Sequence, residues 1–374
     1  MMRRRLVIFL SVVSLLILYT TYKAIELFPS QDTYMPLLTS LLFFMMLSAM
    51  FIYRAHIKVF ETFWFQALAW SGSLLMALWS TFIILSIPFD LIHLLLFLFG
   101  KPTTFFQSIS VSIFYLSVLF TLAGLFQVSL GPKIKRVSVS IENLPSSFRG
   151  LKIIQISDLH VGPTIRKGYV ETMVKTANAE QPDFIFFTGD MADAKVQSIL
   201  EHLNPIGNLK SKLGSFYTTG NHEYYWGATE LIEKISSLGF TPLLNKNAVI
   251  KIGEHKLLIA GVTDPAGGEM LKGHKPDMAK AAETSEQPDF KILLAHRPDA
   301  CHEAEGLGFG LQFSGHTHAG QYFPFSLFIG LAHKYYRGLY RHESMWVYVN
   351  PGTGYWGPAD RLAIHSEISL ITLV

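Results

Sequence analysis

Seven side chains in five short clusters could do chemistry together: Asp158 and His160, Asp190, Asn221, His296, and His316 with His318. The clusters read Ser157-Asp158-Leu159-His160, Gly189-Asp190, Gly220-Asn221-His222-Glu223, Ala295-His296-Arg297-Pro298 and Gly315-His316-Thr317-His318. Imidazole, carboxylate and amide oxygen without thiolate suit Mn, Fe, Zn or Mg, and such a mixed set fits a hydrolytic pair of divalent ions. In Asp158-Leu159-His160 and His316-Thr317-His318 the i, i+2 spacing puts both side chains on one side if the backbone stays extended. Asp190 stands alone and is the natural bridge, because one carboxylate can ligate two ions. Two cations about 3.5 to 4 Å apart lower the pKa of a shared water and clamp phosphoryl oxygens during in-line attack. His222, beside Asn221, is placed to donate a proton to the leaving oxygen or to hold the phosphoryl group. Arg297 and Arg361 are candidates for phosphate contacts.

Taken singly, each of these residues has an ordinary structural explanation. Asp158 can cap a helix, while Asp190 and Asn221 can form turns. Of the fourteen histidines, nine (His56, His93, His202, His255, His274, His302, His333, His342 and His365) have no such neighbourhood and are read as structural. What separates the seven is their common position at the ends of apolar runs.

Those runs are the elements that must position them. Short β-branched or aromatic stretches recur at Lys152–Ile156, Phe184–Thr188, Ser215–Thr219, Leu257–Ala260, Phe290–Ala295 and Leu311–Ser314, after a preliminary strand near Val137–Ile141. Helical patterns at Tyr169–Glu180 and Ala228–Leu238 intervene, the second stopped by Gly239. The alternation predicts an α/β domain with layered sheets. In open α/β sheets the site lies beyond the carboxyl ends of the strands, so five clusters at such ends converge on one crevice. Glycines 189, 220 and 315 allow the close approach.

The first third of the chain is different in kind. Between Leu6 and Gly131 it carries only eight Asp, Glu, Lys or Arg residues: Lys23, Glu26, Asp32, Arg54, Lys58, Glu61, Asp90 and Lys101. Since a membrane crossing needs about 20 apolar residues, four segments qualify: Leu6–Tyr22, Tyr34–Tyr53, Phe63–Ile87 and Phe105–Leu130. Leu91–Phe99 is too short to cross alone. Arg3-Arg4-Arg5, then Arg54 and Lys58, then Lys133, Lys135 and Arg136 obey the positive-inside rule for a multi-pass membrane protein with its catalytic domain in the cytoplasm. No ionisable residue falls within the four segments, which disfavours transport. The net charge of +3, without a dense basic stripe, argues against a specific nucleic-acid partner. Cys301, the one cysteine, excludes an internal disulfide and a Cys-rich metal site.

The ordered set Asp158-x-His160, Gly189-Asp190, Gly220-Asn221-His222-Glu223, His296 and Gly315-His316-x-His318 resembles the calcineurin-like metallophosphoesterase superfamily. The lead-in from Leu144-Pro145 through Phe148-Arg149-Gly150 to Asp158 is similar to its membrane-associated branch. The resemblance implies one divalent ion on Asp158, His160, Asp190 and His318, and a second on Asp190, Asn221, His296 and His316. It makes His222 the catalytic histidine that is not a ligand. It also implies a four-layer αββα sandwich at 132–374, preceded by an all-α transmembrane bundle of about four helices at 1–131. The Gly- and aromatic-rich stretch Val349–Gly357 and the loop from Gly267-Gly268 to Pro276 depart from that pattern and sit where ligand choice is commonly tuned. The function expected is hydrolysis of a phosphomonoester, phosphodiester or pyrophosphate bond, with a membrane lipid or lipid-linked nucleotide as substrate. The alternative is a membrane sensor or transporter with a metal-binding regulatory domain.

Overall fold

A computed structural model of the chain describes Leu15 and residues 18–27, 62–101 and 105–374. The expected crossing at Tyr34–Tyr53 and the basic residues Arg3, Arg4, Arg5, Arg54 and Lys58 lie outside the described residues. Within Leu6–Tyr22, residues 18–22 are helical and the helix continues to 27.

Helix α1 (Phe63–Leu98) starts where Thr62 Oγ1 accepts from the Phe65 amide at 3.4 Å. It runs for 36 residues, through Pro88, and so joins two stretches that the sequence suggested were separate, Phe63–Ile87 and Leu91–Phe99. A proline removes one amide donor, which neighbouring helices make tolerable in an apolar helix. Helix α2 (Phe106–Ser129) packs back against α1 through Trp79, Phe82 and Phe114. Both helices are long and apolar enough to cross a membrane. The continuation of α1 carries Asp90, an ionisable residue the shorter boundary left out, into an apolar setting. There Lys23, fully buried, reaches Glu26 at 2.5 Å, Asp90 at 3.0 Å and Ser110 at 2.8 Å. One ammonium between two carboxylates clamps helix 18–27 to α1 and α2 and offsets part of the cost of burying these charges.

The remaining chain forms two six-stranded mixed sheets. In the first, β1 (Lys133–Val139), β12 (Glu367–Leu373), β2 (Lys152–Ile156), β3 (Phe184–Thr188), β4 (Gly214–Thr218) and β5 (Thr241–Pro242) lie in that order. In the second the order is β10 (Gly338–His342), β11 (Met345–Val349), β9 (Leu311–Ser314), β8 (Phe290–Leu294), β7 (His255–Gly261) and β6 (Lys246–Ile252). β2 to β5 run parallel, as do β7, β8, β9 and β11. Eight helices complete the described part of the domain: α3 (Lys167–Ala179), α4 (Val196–Leu203), α5 (Asn221–Trp226), α6 (Ala228–Ser237), α7 (Pro265–Met270), α8 (Met278–Ala282), α9 (Cys301–Ala304) and α10 (Ile329–Ala332).

The two-residue side-chain period of a strand decides which core each residue enters. In β3, Phe184 and Phe186 join a cluster with Phe313, Leu257 and Ile292 between the sheets. Ile185 and Phe187 join the opposite cluster, with Val170 and Met173 of α3 and Leu231 and Ile235 of α6. In β7, Leu257 and Ile259 face the inter-sheet core while Leu258 and Ala260 meet Met278 of α8 and Cys301 of α9. The central strands are therefore covered on both faces, which accounts for their nearly unbroken apolar sequences.

The apolar helices are seated directly on this domain. Ser73 Oγ donates to Gly357 O at 3.1 Å and accepts from Ala359 N at 2.7 Å, and Ser80 Oγ meets Tyr322 Oη at 2.8 Å. Phe65, Val128, Tyr355 and Ala359 share one core with the β2 and β3 residues. A side chain at Gly124 of α2 would overlap the Asp360 carboxylate. Burial in this seam pushes the Asp360 carboxyl up to about 7, so the neutral acid is the form the folded seam accommodates. Its contribution to stability is complete below the ordinary carboxylate pKa of about 4 and is lost as pH rises through about 7. Asp360→Asn preserves the oxygen that accepts from Leu362 N at 2.8 Å and removes the titration. The variant should melt at the same temperature as the parent near pH 4 and above it at pH 8; parallel melting curves would contradict this.

Candidate metal centre

Each ligand candidate leaves a strand at its carboxyl end. Asp158 and His160 follow β2, Asp190 follows β3, and Asn221 opens α5 after β4. His296 follows β8, and His316 and His318 follow β9. Three of these strands belong to one sheet and two to the other, so the centre sits where the ends of both sheets meet. The loops are stitched together by backbone bonds: Asp158 N to Gly189 O at 3.0 Å, His160 N to Asp190 O at 3.1 Å and Gly315 N to His296 O at 2.9 Å.

The two i, i+2 pairs converge by a different route from the extended backbone expected of them. Asp158, His160, His316 and His318 have φ of 52°, 51°, 72° and 50°, and Asp190 has 54°. Left-handed backbone is uncommon outside glycine, and its concentration at five ligand positions marks a site held by its surroundings. The glycines beside them leave room for the carboxylates. A Cβ at Gly315 would overlap Ser157 Oγ and Asp158 Oδ2, and one at Gly189 would stand 2.7 Å from His296 Nδ1.

Six of the seven candidates are brought together in two groups. Asp158, His160 and His318 place one ligand atom each within 4.8 Å of one another, as do Asp190, His296 and His316. His318 Nε2 lies 3.4 Å from Asp158 Oδ1. Asp190 Oδ2 lies 3.1 Å from His296 Nε2 and 4.0 Å from His160 Nε2. Imidazole nitrogens face each other at 3.0 Å (His160 with His318) and 3.2 Å (His316 with His296). Asn221 Oδ1 is buried and, among the described residues, meets no donor. An unpartnered amide oxygen and opposed imidazole nitrogens beside carboxylates are the donor set that cations satisfy, and the residues fit divalent metal binding.

The electrostatics divide the candidates, and burial raises the Asp158 carboxyl above its ordinary value. Burial opposes the ionisation of Asp190, but His296 and then His222 outweigh it and hold the carboxyl well below the usual range. Burial likewise opposes charge on His296, which Asp190 nevertheless pushes up to about 10. His316 is driven down to about 3 by burial and then by His296, and His318 falls well below its ordinary value by burial and by His160. Two imidazoles are thus kept neutral, with lone pairs available, beside an ionised carboxylate.

His222 falls in a third group of close ligand atoms, with His160 and Asp193, and not with Asp158 or in the Asp190 group. Its amide donates to Asp190 Oδ1 at 2.8 Å, its Nε2 lies 3.9 Å from Asp190 Oδ2, and its Nδ1 is hydrogen-bonded to Asp193 Oδ1. Burial disfavours the imidazolium, yet Asp193 and Asp190 raise His222 to about 9. Asp193, also 3.1 Å from His160 Nδ1, escaped the sequence reading. Its signal was a second carboxylate three residues after Asp190. Glu223, noted in its cluster without a role, accepts from Gly220 N at 2.6 Å, Met191 N at 2.7 Å and Asp190 N at 3.0 Å, fastening the β3 and β4 loops together.

The two arginines differ. Arg297 is partly exposed and holds Asp264 Oδ2 at 2.8 Å and Oδ1 at 3.2 Å. Arg361 is fully buried; its guanidinium donates to Pro351 O at 2.7 Å and to Gly354 O, and lies 3.3 Å from His318 Nδ1. That geometry fixes the 351–354 loop behind a ligand histidine and leaves Arg361 facing carbonyls. The loop expected from Gly267 onward begins as α7, with Gly267 against Tyr224, whose hydroxyl meets His274 Nδ1 at 3.1 Å. Because Gly315 has no space for a methyl group, Gly315→Ala should displace Asp158. The variant should then retain less than half of the parent's bound metal by elemental analysis, with unchanged circular dichroism; equal metal content would contradict the packing described.

The calcineurin-like phosphoesterase profile matches residues 151–320. The chain is 38% identical over 261 residues to "Transmembrane protein with metallophosphoesterase domain" of Danio rerio, covering 67% of this chain and 59% of that protein. It is 36% identical over 264 residues to an "Uncharacterized metallophosphoesterase" of Helicobacter pylori, covering 70% of this chain and 69% of that protein. With a Campylobacter jejuni metallophosphoesterase the identity is 31% over 300 residues, covering 77% of each chain. The match spans only 59% and 60% of the Danio rerio and Bos taurus relatives. With its strand-end ligand clusters and these relatives, the chain belongs to the calcineurin-like metallophosphoesterase family.

Proposed function

We propose that the chain is a membrane-anchored phosphoesterase that uses two divalent ions to hydrolyse a phosphomonoester, phosphodiester or pyrophosphate bond. The observation that carries this reading is the Asp190 carboxylate, whose Oδ2 stands 3.1 Å from a histidine of one group and 4.0 Å from a histidine of the other. Asp158, His160, Asp190 and His318 would hold one ion, and Asp190, Asn221, His296 and His316 the second. When bound, such a pair supplies Lewis acidity toward the phosphoryl oxygens and acidifies water. The chain's own residues do the rest. His222, with its Nδ1 committed to Asp193, presents Nε2 to the centre and is oriented to give a proton to the leaving oxygen. Arg297, beside His296, offers a guanidinium toward phosphate, while Arg361 orients His318 from behind. Trp356 and Tyr225, rings 5.9 and 5.2 Å from His222, flank the mouth.

The chain divides in this reading into an apolar helical part, 1–131, and a four-layer αββα catalytic part, 132–374. α1 and α2 are two of the four crossings, and Lys133, Lys135 and Arg136 directly after α2 put the catalytic part on the cytoplasmic side. The full chain in detergent with Mn should hydrolyse bis(4-nitrophenyl) phosphate, and Asp190→Ala should abolish turnover. Asp193→Asn should keep the metal but lower kcat by about 10²-fold, the lower end of what a positioned acid contributes. Turnover surviving intact in Asp190→Ala would reject the mechanism.

A further inference from the structure

Between His318 and Lys334 the chain carries no Asp, Glu, Lys or Arg, although it leaves one ligand pair and returns to the same centre. Within this arm the 3-10 turn Phe325–Leu327 and the short helix Ile329–Ala332 expose apolar side chains: Leu327 by 66%, Phe328 by 50% and Leu331 by 87%. A contiguous exposed apolar surface of this kind marks an interaction site. The arm is anchored at both ends. At its start, Tyr322 meets Ser80 of α1 at 2.8 Å, and the Phe323 ring lies 5.4 Å from Phe120 of α2. At its end, the His333 ring lies 6.2 Å from that of His316, and Thr317 Oγ1 donates to Tyr336 O at 2.7 Å.

Helix length says what lies over it. α1 has 36 residues, about 54 Å, against about 30 Å of hydrocarbon to cross. Its first half, from Phe65 to Ser80, is seated on the water-soluble domain, so the bilayer cannot reach that far. The stretch from Ser80 to Leu98 provides about 27 Å, close to one crossing. The membrane boundary then falls at Ser80, level with the start of the arm.

We infer that the 325–332 arm is an interfacial element dipping into the leaflet at the foot of α1 and α2. It opens the metal centre to the headgroup layer, so the substrates are phosphoesters carrying a hydrocarbon chain. The phosphoryl group sits at the ligands, and the chain runs past Leu327 and Leu331 into the bilayer. Lys334 and Arg337, both exposed, follow the apolar stretch, the order of residues that binds an anionic surface. This rests on the membrane-anchored phosphoesterase reading and adds the substrate class.

The test uses the full chain in nanodiscs of phosphatidylcholine and phosphatidylglycerol. Leu331→Cys is labelled with bimane, Cys301 being fully buried. Brominated phosphatidylcholine should quench the probe at least twofold. In parallel, Leu327→Ser combined with Leu331→Ser is assayed on hexadecyl 4-nitrophenyl phosphate in the bilayer and on bis(4-nitrophenyl) phosphate in water. The ratio of the first rate to the second should fall at least tenfold. A probe that stays unquenched, whether its emission is water-like or shifted by burial under residues 28–61 or another protein, overturns the inference, as does an unchanged ratio. If the parent hydrolysed neither diester, the phosphoesterase reading would fall instead, while the probe would still decide whether the arm meets lipid.

Discussion

The structure depends on one carboxylate. Asp190 stands at the end of β3, its backbone turned into the left-handed region at φ 54°, its Oδ1 held by the His222 amide and its Oδ2 turned toward His296 and His160. Those histidines come from different sheets, so the contact that would join two cations also joins the two halves of the domain. The cost of burying an ionised group this deeply is several kcal/mol unless it is compensated. Compensation here comes from the His296, His222 and His160 imidazoles and from the His222 amide. The close approach of the loops, which Gly189, Gly220 and Gly315 permit, follows from the need to bring all of this within ligand distance.

Most of the site was legible in the sequence because the strands that carry it are covered on both faces. Such strands are continuous apolar runs, and the polar cluster after each run is conspicuous; β2, β3 and β9 begin and end where the residue pattern says. β6 was not legible, because Lys246–Ile252 is half exposed along its length and shows no clean alternation. The β10–β11 hairpin was not among the expected strands, because Arg341, His342 and Glu343 break the apolar run, although its register is regular. Left-handed backbone at Asp158 and His316 has no signature in residue type. Asp193 and Arg361 were misjudged or missed for a common reason: the role of a charged side chain is set by what stands opposite it, and His222 and His318 are distant along the chain.

The apolar helices and the two-sheet part of the chain are less separable than composition suggests. Charge density divides the chain cleanly near Gly131, yet Phe65 and Val128 lie in the same core as Ile154 and Phe187. The seam at Gly124, Ser73 and Gln127 touches the 354–361 loop, where Gln127 donates to the Arg361 carbonyl and Arg361 in turn backs His318. A hydrogen-bonded path therefore runs from α2 through Arg361 to His318, which ties the apolar helix to the candidate centre.

In the proposed reading the Asp190 carboxylate would join two ions. Electron paramagnetic resonance of the full chain reconstituted with Mn tests it directly, since two Mn ions sharing a bridge are exchange-coupled. The account predicts two Mn per chain and a coupled multiline spectrum that Asp190→Asn converts to the six-line signal of isolated ions. A single isolated Mn per chain in the parent protein would contradict it.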